Sequence, residues 1–244
     1  MEPSKKVLFV SNWIKNYAES MPSKAQALVV GISGGIDSSV SSTLSAMTGL
    51  KTIVLSMPIK QKNSEHDLSL KHQKWLIKNF KNVEAHTLNL DKLFEAFENS
   101  LSKFDSEHGM ANSRARLRMT TLYQVAATNK GIVVGTGNKV EDFGVGFYTK
   151  YGDGGVDISP IADCNKTEVW EMGRELNILK EIIDASPTDG LWDDGRTDEG
   201  QLGLKYSELE EAMNNPNSLN REKYEKIRKL NLHKMEPIPV CKIP

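Results

Sequence analysis

The chain has 244 residues, 39% of them hydrophobic and 26% charged, which is ordinary for a globular fold and enough for one large domain with a full core. A formal charge of −1 excludes a global field that would gather nucleic acid or an anionic membrane, so an anionic ligand must be met by local Lys and Arg side chains or by a metal. Two cysteines, Cys164 and Cys241, are too few for a disulfide framework, and the five histidines form no pair at metal-ligand spacing.

Val7, Val10, Ile14 and Tyr17 recur at helical spacing and predict an opening amphipathic helix. The apolar run at 7–10 is too short for a signal peptide or a membrane span, so a cytoplasmic protein is expected. Apolar runs at 27–33, 51–58, 83–90 and 131–137 read as strands. Between them, 38–49 is helical in character, and 66–80 carries Leu68, Trp75, Leu76 and Phe80 on one side. Two more stripes follow, at 93, 97, 101 and 104 and at 115, 119, 122, 123 and 126. Strands alternating with such helices predict an α/β fold with a mainly parallel, doubly wound sheet flanked by helices on both faces. Ligands of these folds sit at the carboxyl ends of the strands, and two of the four predicted strands end there in Gly/Ser/Thr-rich turns.

The second half is less regular. Residues 138–163 are rich in Gly and Asp. Asn165 followed by Glu168 predicts a capped helix start, and Ser207 with Glu210 predicts a second capping box, for a helix through Met213. Residues 184–203 are polar and turn-rich and read as a mobile lid. The Pro-rich stretch 234–244 is not helical. No repeat or linker divides the chain, and 1–244 reads as a single domain.

The predicted strand at 27–33 hands over to a helix through Gly31, Ile32, Ser33, Gly34, Gly35, Ile36, Asp37 and Ser38. Glycines let a ligand reach the backbone, and a helix N-terminus offers unpaired N–H groups, so the segment describes a cradle for phosphate or pyrophosphate. It is not the GxxxxGK[ST] loop, because Ile36 and Asp37 follow the second Gly of the pair. An acid beside a phosphate cradle repels the ligand unless a cation lies between them, so Asp37 argues for Mg²⁺.

The stretch SGGIDSS resembles the pyrophosphate loop of the ATP pyrophosphatases, which cleave ATP to AMP and pyrophosphate to activate a carbonyl oxygen. NSRARLRMTTLY (112–123), GTGNKVEDFGVGFYTKYGDGGVDISPI (135–161) and SPTDGLWDDGRTDEGQLGLKY (186–206) resemble, in order and spacing, the NAD synthetases within that group. The resemblance spans roughly 25–240 and implies an adenine nucleotide α-hydrolase-like fold. It implies a ligase that converts nicotinic acid adenine dinucleotide to NAD with ATP and ammonia, the last step of NAD biosynthesis, through an acyl-adenylate. It also implies residue roles. Residues 31–38, Thr136, Lys166 and Thr188 match ATP contacts, while Asp37 and Glu141 match Mg²⁺ ligands. Arg116, Lys150, Asp157 and the pair His233 and Lys234 match contacts to the dinucleotide. Asp153 is a further catalytic candidate near the pyridine carboxylate or ammonia, beside Asp37 and Lys166. Arg114 and Arg118 read as a solvated helix face, and Trp192 and Tyr206 read equally as packing or as ligand contacts.

The pattern departs from the family at two places: PTDGLWDD (187–194) stands where the family often reads PTADL, and one spacing differs. The matching Lys commonly lies eight residues after the metal acid, whereas Glu141 and Lys150 are nine apart, which leaves Glu141 and its neighbour Asp142 both open as the ligand. Glutamine-dependent relatives carry a long fused amidase domain, for which this chain has no room before its loop, so free ammonia is the expected donor. Enzymes of this size in the family are homodimers, and no nucleic-acid or membrane partner is expected. Two alternatives are an ATP pyrophosphatase acting on another acceptor, such as a tRNA base, and a non-catalytic nucleotide-binding relative.

Overall fold

The computed structural model describes residues 1–60, 63–104, 106–188 and 196–243, with backbone alone for 63–66. Helix α1 (Pro3–Ser20) opens with Pro in its first turn, where the missing N–H costs nothing. It buries Val7, Val10 and Ile14 as expected, but Ala18 continues the stripe; Tyr17, stacked on Trp13 at 5.7 Å, lies toward solvent. Ala18 is the i+4 neighbour of Ile14 and so shares its face.

Strands β1 (Ala27–Gly31), β2 (Lys51–Ser56), β3 (Val83–Thr87) and β4 (Ile132–Val134) pair in parallel in the order β3-β2-β1-β4. The crossovers carry α2 (Ile36–Met47), α3 (Asn63–Asn79), α4 (Asp91–Ser100) and α5 (Glu107–Thr128). Side chains alternate across the sheet. Leu28 and Val30 enter one buried cluster with Ile14, Val40 and Leu44, while Ala27 and Val29 enter another with Phe94 and Ala126. Both sheet faces are covered over β1, β2 and β4, which is why those strands read as apolar runs, whereas the edge strand β3 is polar and largely exposed. The chain steps outward from β1 to β3, then returns to β4 on the other side of β1. That reversal opens a crevice between the carboxyl ends of β1 and β4.

Three local expectations are corrected. In α4 the buried residue is Phe94, and Leu93 and Phe104 are 51% and 76% exposed, because a helix starting at Asp91 turns 90, 94 and 97 to the core. The region 138–163 begins with a π-helix, Lys139–Val145. Helix α6 (Lys166–Glu175) does start after Asn165, whose N–H donates to Glu168 Oε2 at 2.8 Å. After α7 (Lys180–Ile183) and α8 (Asp198–Leu202), however, α9 (Tyr206–Asn214) starts one residue before the expected Ser207. Glu208 accepts its capping N–H from Lys205 at 2.7 Å. Glu210, assigned by pattern to that box, instead accepts the N–H and hydroxyl of Thr167 at 2.9 and 2.7 Å and so caps α6. Helix α10 (Arg221–Met235) has no counterpart in the sequence reading, because few of its residues are apolar. Of the expected lid, 189–195, including Trp192, lie outside the described residues, and α8 occupies part of the remainder.

A polar seam joins α2 to α3. His72 is fully buried there, its Nε2 sharing a 3.0 Å hydrogen bond with Ser42 Oγ and its ring stacked on Trp75 at 5.6 Å. Burial favours the neutral imidazole and lowers its pKa to about 4 from 6.5. The unfolded chain therefore binds a proton that the native chain refuses between those values. Stability is full above pH ~6.5 and falls as pH drops toward ~4, by roughly 3 kcal/mol for this group. Urea unfolding of wild type and His72→Gln between pH 7 and 4.5 reads the effect: the wild type loses more stability across that window, and equal losses in both proteins would rule it out.

Candidate active site

A cavity of about 400 Å³ occupies the crevice, within the roughly 300–1,000 Å³ usual for small-molecule sites. Its floor is the loop from β1 to α2. Gly34 has φ of +96°, a conformation that side chains resist, and this turn swings the N-terminus of α2 to face the cavity. Ser33 N–H donates to Ser38 Oγ and Gly35 N–H to Ser33 Oγ, both at 3.2 Å. These long bonds satisfy donors that a phosphate oxygen can take over. Gly31, Ile32, Ser33, Gly35, Ile36, Asp37 and Ser38 line the cavity, while Gly34 supplies the turn beneath them. Thr136, Glu141, Lys166 and Thr188 complete this end.

At its centre Lys166, the first residue of α6, is 2% exposed. Its Nζ donates to Asp37 Oδ2 at 2.5 Å and to Glu141 Oε1 at 2.8 Å, and lies 4.8 Å from the Tyr206 ring centroid. Asn138, at the start of the π-helix, braces both acids. Its Nδ2 donates to Asp37 Oδ1 at 3.0 Å, and its Oδ1 accepts the N–H of Val140 and of Glu141 at 3.0 and 3.1 Å. Burial raises the pKa of Asp37 although Lys166 opposes it, whereas for Glu141 the lysine and the hydrogen bonds outweigh burial and hold it low. The two carboxylates raise the pKa of Lys166 against its own burial, so the ammonium stays charged. Two acids thus converge on one cation beside the phosphate cradle.

Glu141 and not Asp142 is the acid brought to Asp37. The Asp142 carboxylate lies on Gly137, where a Cβ would stand 2.0 Å from Oδ2. Burial and the neighbouring acids push its pKa up. Helix α10 clamps the π-helix in place: Arg228 donates to the Phe143 and Gly144 carbonyls, and Asn231 Nδ2 donates to Val145 O at 2.9 Å.

The far end holds Asp153 and Lys234. Asp153 Oδ1 accepts the Thr149 N–H at 2.9 Å. Asp153 is an exposed residue, yet desolvation by the surrounding protein pushes its pKa up to about 6. Lys234 Nζ donates to Tyr148 O at 2.7 Å. The other expected dinucleotide contacts do not line the cavity of a single chain. Arg116 is exposed and its Nε donates to Lys150 O at 3.3 Å, so those two are neighbours outside it. Asp157 accepts the Val133 N–H at 2.7 Å and the Tyr123 hydroxyl at 3.1 Å, and His233 faces solvent. The solvated face expected at Arg114 and Arg118 is corrected: Arg114 is buried 5.1 Å from the Phe94 ring, and Arg118 lines the cavity with Nε donating to Met57 O at 3.0 Å. In a helix these two lie about 40° apart and position 116 about 160° from either, so one inward-turned stripe takes both and leaves Arg116 outside.

The NAD synthase family profile matches residues 7–242. The chain belongs to the NAD synthase family. Relatives include the NH(3)-dependent NAD(+) synthetase of Carboxydothermus hydrogenoformans, 38% identical over 82% of this chain and 80% of the relative. That of Alkaliphilus metalliredigens is 36% identical over 98% and 99%. Among solved structures, an NMN synthetase from Francisella tularensis is 31% identical and covers 100% of both chains at a TM-score of 0.90. The parallel sheet and the crevice between β1 and β4 are thus those of the NAD synthases, with the adenine nucleotide α-hydrolase-like fold. Two further residues bind the central acids of this NAD synthase: Asn138, which pattern reading passed over, and Tyr206, which it left open between packing and ligand contact. Asn138 carried a weak signal, a capping residue directly after a strand-ending Gly-Thr-Gly. Tyr206 carried none that separated it from packing: its hydroxyl donates to Glu141 Oε1 at 2.5 Å across 65 residues of chain.

Proposed function

We propose that the chain is an ammonia-dependent ligase that amidates the pyridine carboxylate of nicotinic acid adenine dinucleotide to give NAD, cleaving ATP to AMP and pyrophosphate through an acyl-adenylate. The observation that carries this reading is the pair Asp37 and Glu141 converging on one cation beside a helix-terminal phosphate loop. Among the described residues no cluster of three or more metal-ligating side chains occurs. Two carboxylates with open space beside them suit Mg²⁺, which takes one or two protein acids and completes its shell with phosphate oxygens and water. Asp37 and Glu141 would hold it; when bound, it neutralises phosphate charge as the α-phosphorus is attacked.

The roles of the chain's own groups follow. Residues 31–38 and the N-terminus of α2 bind the phosphates, with the hydroxyls of Thr136 and Thr188. Lys166 turns from the two acids to the phosphate oxygens and stabilises the charge that leaves with pyrophosphate. Asp153, with a pKa of about 6, takes the proton that ammonium must lose before nitrogen attacks the acyl-adenylate. Lys234 meets the acceptor's negative charge, and Arg116, Lys150, Asp157 and His233 serve the parts of the acceptor beyond the cavity. We infer a single catalytic domain, since the cavity draws residues from Gly31 to Lys234, and a cytoplasmic homodimer whose second copy extends the acceptor end. No helix among the described residues is long and apolar enough to cross a membrane.

One observation favours a second acceptor. The Francisella relative, alike over its full length, is an NMN synthetase, and of the five expected dinucleotide contacts only Lys234 lines the cavity of one chain. A mononucleotide acceptor needs less of that outer surface. The test supplies ATP, Mg²⁺ and ammonium with either nicotinic acid adenine dinucleotide or nicotinic acid mononucleotide, using protein whose mass in solution is that of a dimer, and measures amide product against AMP. A kcat/KM at least tenfold higher for the dinucleotide is expected. The reverse ratio assigns the mononucleotide, and AMP formed with neither amide rejects both.

A further inference from the structure

We propose that Tyr206 is a positioning residue for Glu141: its phenol holds that carboxylate in the orientation that receives the divalent cation. The inference deepens the reading of the site as one for ATP with Mg²⁺ and rests on it.

A phenol has one proton. Tyr206 Oη lies 2.5 Å from Glu141 Oε1 and 3.2 Å from Asp198 Oδ2, so the shorter contact takes the proton and Glu141 is the partner. Both neighbours of the hydroxyl are buried or half-buried acids, and one of them, Glu141, is the proposed cation ligand. The hydroxyl is fixed before any ligand arrives. The ring is 1% exposed, meets Trp170 edge-on at 5.8 Å and 88°, and packs among Val140, Leu209 and Ala212. Its backbone N–H donates to Glu199 Oε1 at 3.0 Å, which ties the strap between α8 and α9.

Glu141 has two partners on Oε1, and they differ in kind. Lys166 must leave to reach the phosphate. Tyr206 cannot leave, because its ring is locked in the third buried cluster. When the ammonium departs, the phenol on Oε1, with the Asn138 side chain, still restrains rotation about the Glu141 Cγ–Cδ bond and directs the second carboxylate oxygen. Partners of this kind, one step removed from a metal, typically account for 10–100-fold in metal affinity.

The experiment uses Mn²⁺ as a paramagnetic stand-in for Mg²⁺ and titrates it by electron paramagnetic resonance into the full-length protein with a non-hydrolysable ATP analogue, with no acceptor present. Wild type, Tyr206→Phe, Glu141→Gln and the double variant form a cycle, and thermal unfolding confirms that each is folded. Tyr206→Phe keeps the ring contacts and removes one oxygen. Its expected effect is a roughly tenfold weaker Mn²⁺ affinity in the nucleotide complex, unchanged nucleotide affinity without metal, and no further weakening in the Glu141→Gln background. Mn²⁺ affinity within twofold of wild type, or an equal loss in both backgrounds as a packing defect would give, overturns the proposal. A wild type that takes up no Mn²⁺ with nucleotide overturns the reading of the site itself, and this inference with it.

Discussion

Lys166→Met is expected to remove most turnover and to lower the stability of the resting protein by about 3–5 kcal/mol, the usual cost of removing one partner from a buried ion pair. Methionine fills a similar volume but leaves Asp37 and Glu141 facing each other with no cation between them. On the proposed reading the same substitution also removes the ammonium that meets the leaving pyrophosphate, for which a loss of roughly 10²–10³ in kcat is expected. Mg²⁺ separates the two effects. Added to the variant without nucleotide, it restores part of the lost melting temperature, because the carboxylates again share a cation; it does not restore turnover. Lower pH narrows the stability deficit for the same reason, since protonating either acid relieves the repulsion. Thermal unfolding with and without Mg²⁺, beside steady-state product formation, gives both readings. A variant as stable as wild type in metal-free buffer would show that the ammonium does not hold these acids together.

The features legible in the sequence are those that depend on neighbours along the chain. The loop at 31–38 announces itself because a strand, a glycine pair and a helix start must follow one another for phosphate to touch backbone. The parallel sheet is legible for a similar reason: covering both faces demands unbroken apolar strands. Side-chain direction is set by register and was not legible. Arg114, Arg116 and Arg118 are identical residues two apart, and only the docking of α5 decides that the outer pair turns inward. Contacts across the fold are further still from the sequence. Tyr206 meets Glu141, and Glu210 caps α6 through Thr167, because α9 packs on the π-helix and α6. The nine-residue interval from Glu141 to Lys150 also acquires a physical account. A π-helix winds an extra residue into a turn, and the bond from Gly146 N–H to Glu141 O spans five residues. Gly146, at φ of +67°, then ends the turn where a Cβ would stand 2.7 Å from Asn231 Cβ. The wider turn leaves Glu141 facing Asp37 while α10 lies close against its end.

Asp37→Asn is expected to lose as much turnover as Lys166→Met, roughly 10²–10³-fold, while costing little stability. Burial already opposes the charge on Asp37, so a neutral isostere relieves part of that cost. Lys166 keeps Glu141 as its counter-ion at 2.8 Å, so no lone buried charge results. What the amide cannot do is accept from both present donors. Asp37 Oδ1 takes Asn138 Nδ2 and Oδ2 takes Lys166 Nζ, and an Asn side chain must turn its own donor toward one of them. One mismatched hydrogen bond is worth about 1–2 kcal/mol, which bounds the stability loss. The catalytic loss has a different origin, since a neutral amide in place of a carboxylate removes one of the two proposed ligands of the divalent cation. The two variants are therefore told apart by unfolding and not by activity. Lys166→Met unfolds early and is rescued by Mg²⁺, whereas Asp37→Asn unfolds near the wild-type temperature and responds weakly to Mg²⁺ with or without nucleotide. Retention of more than a tenth of wild-type turnover by Asp37→Asn would remove this residue from the cation seat and leave Glu141 to be sought with another partner.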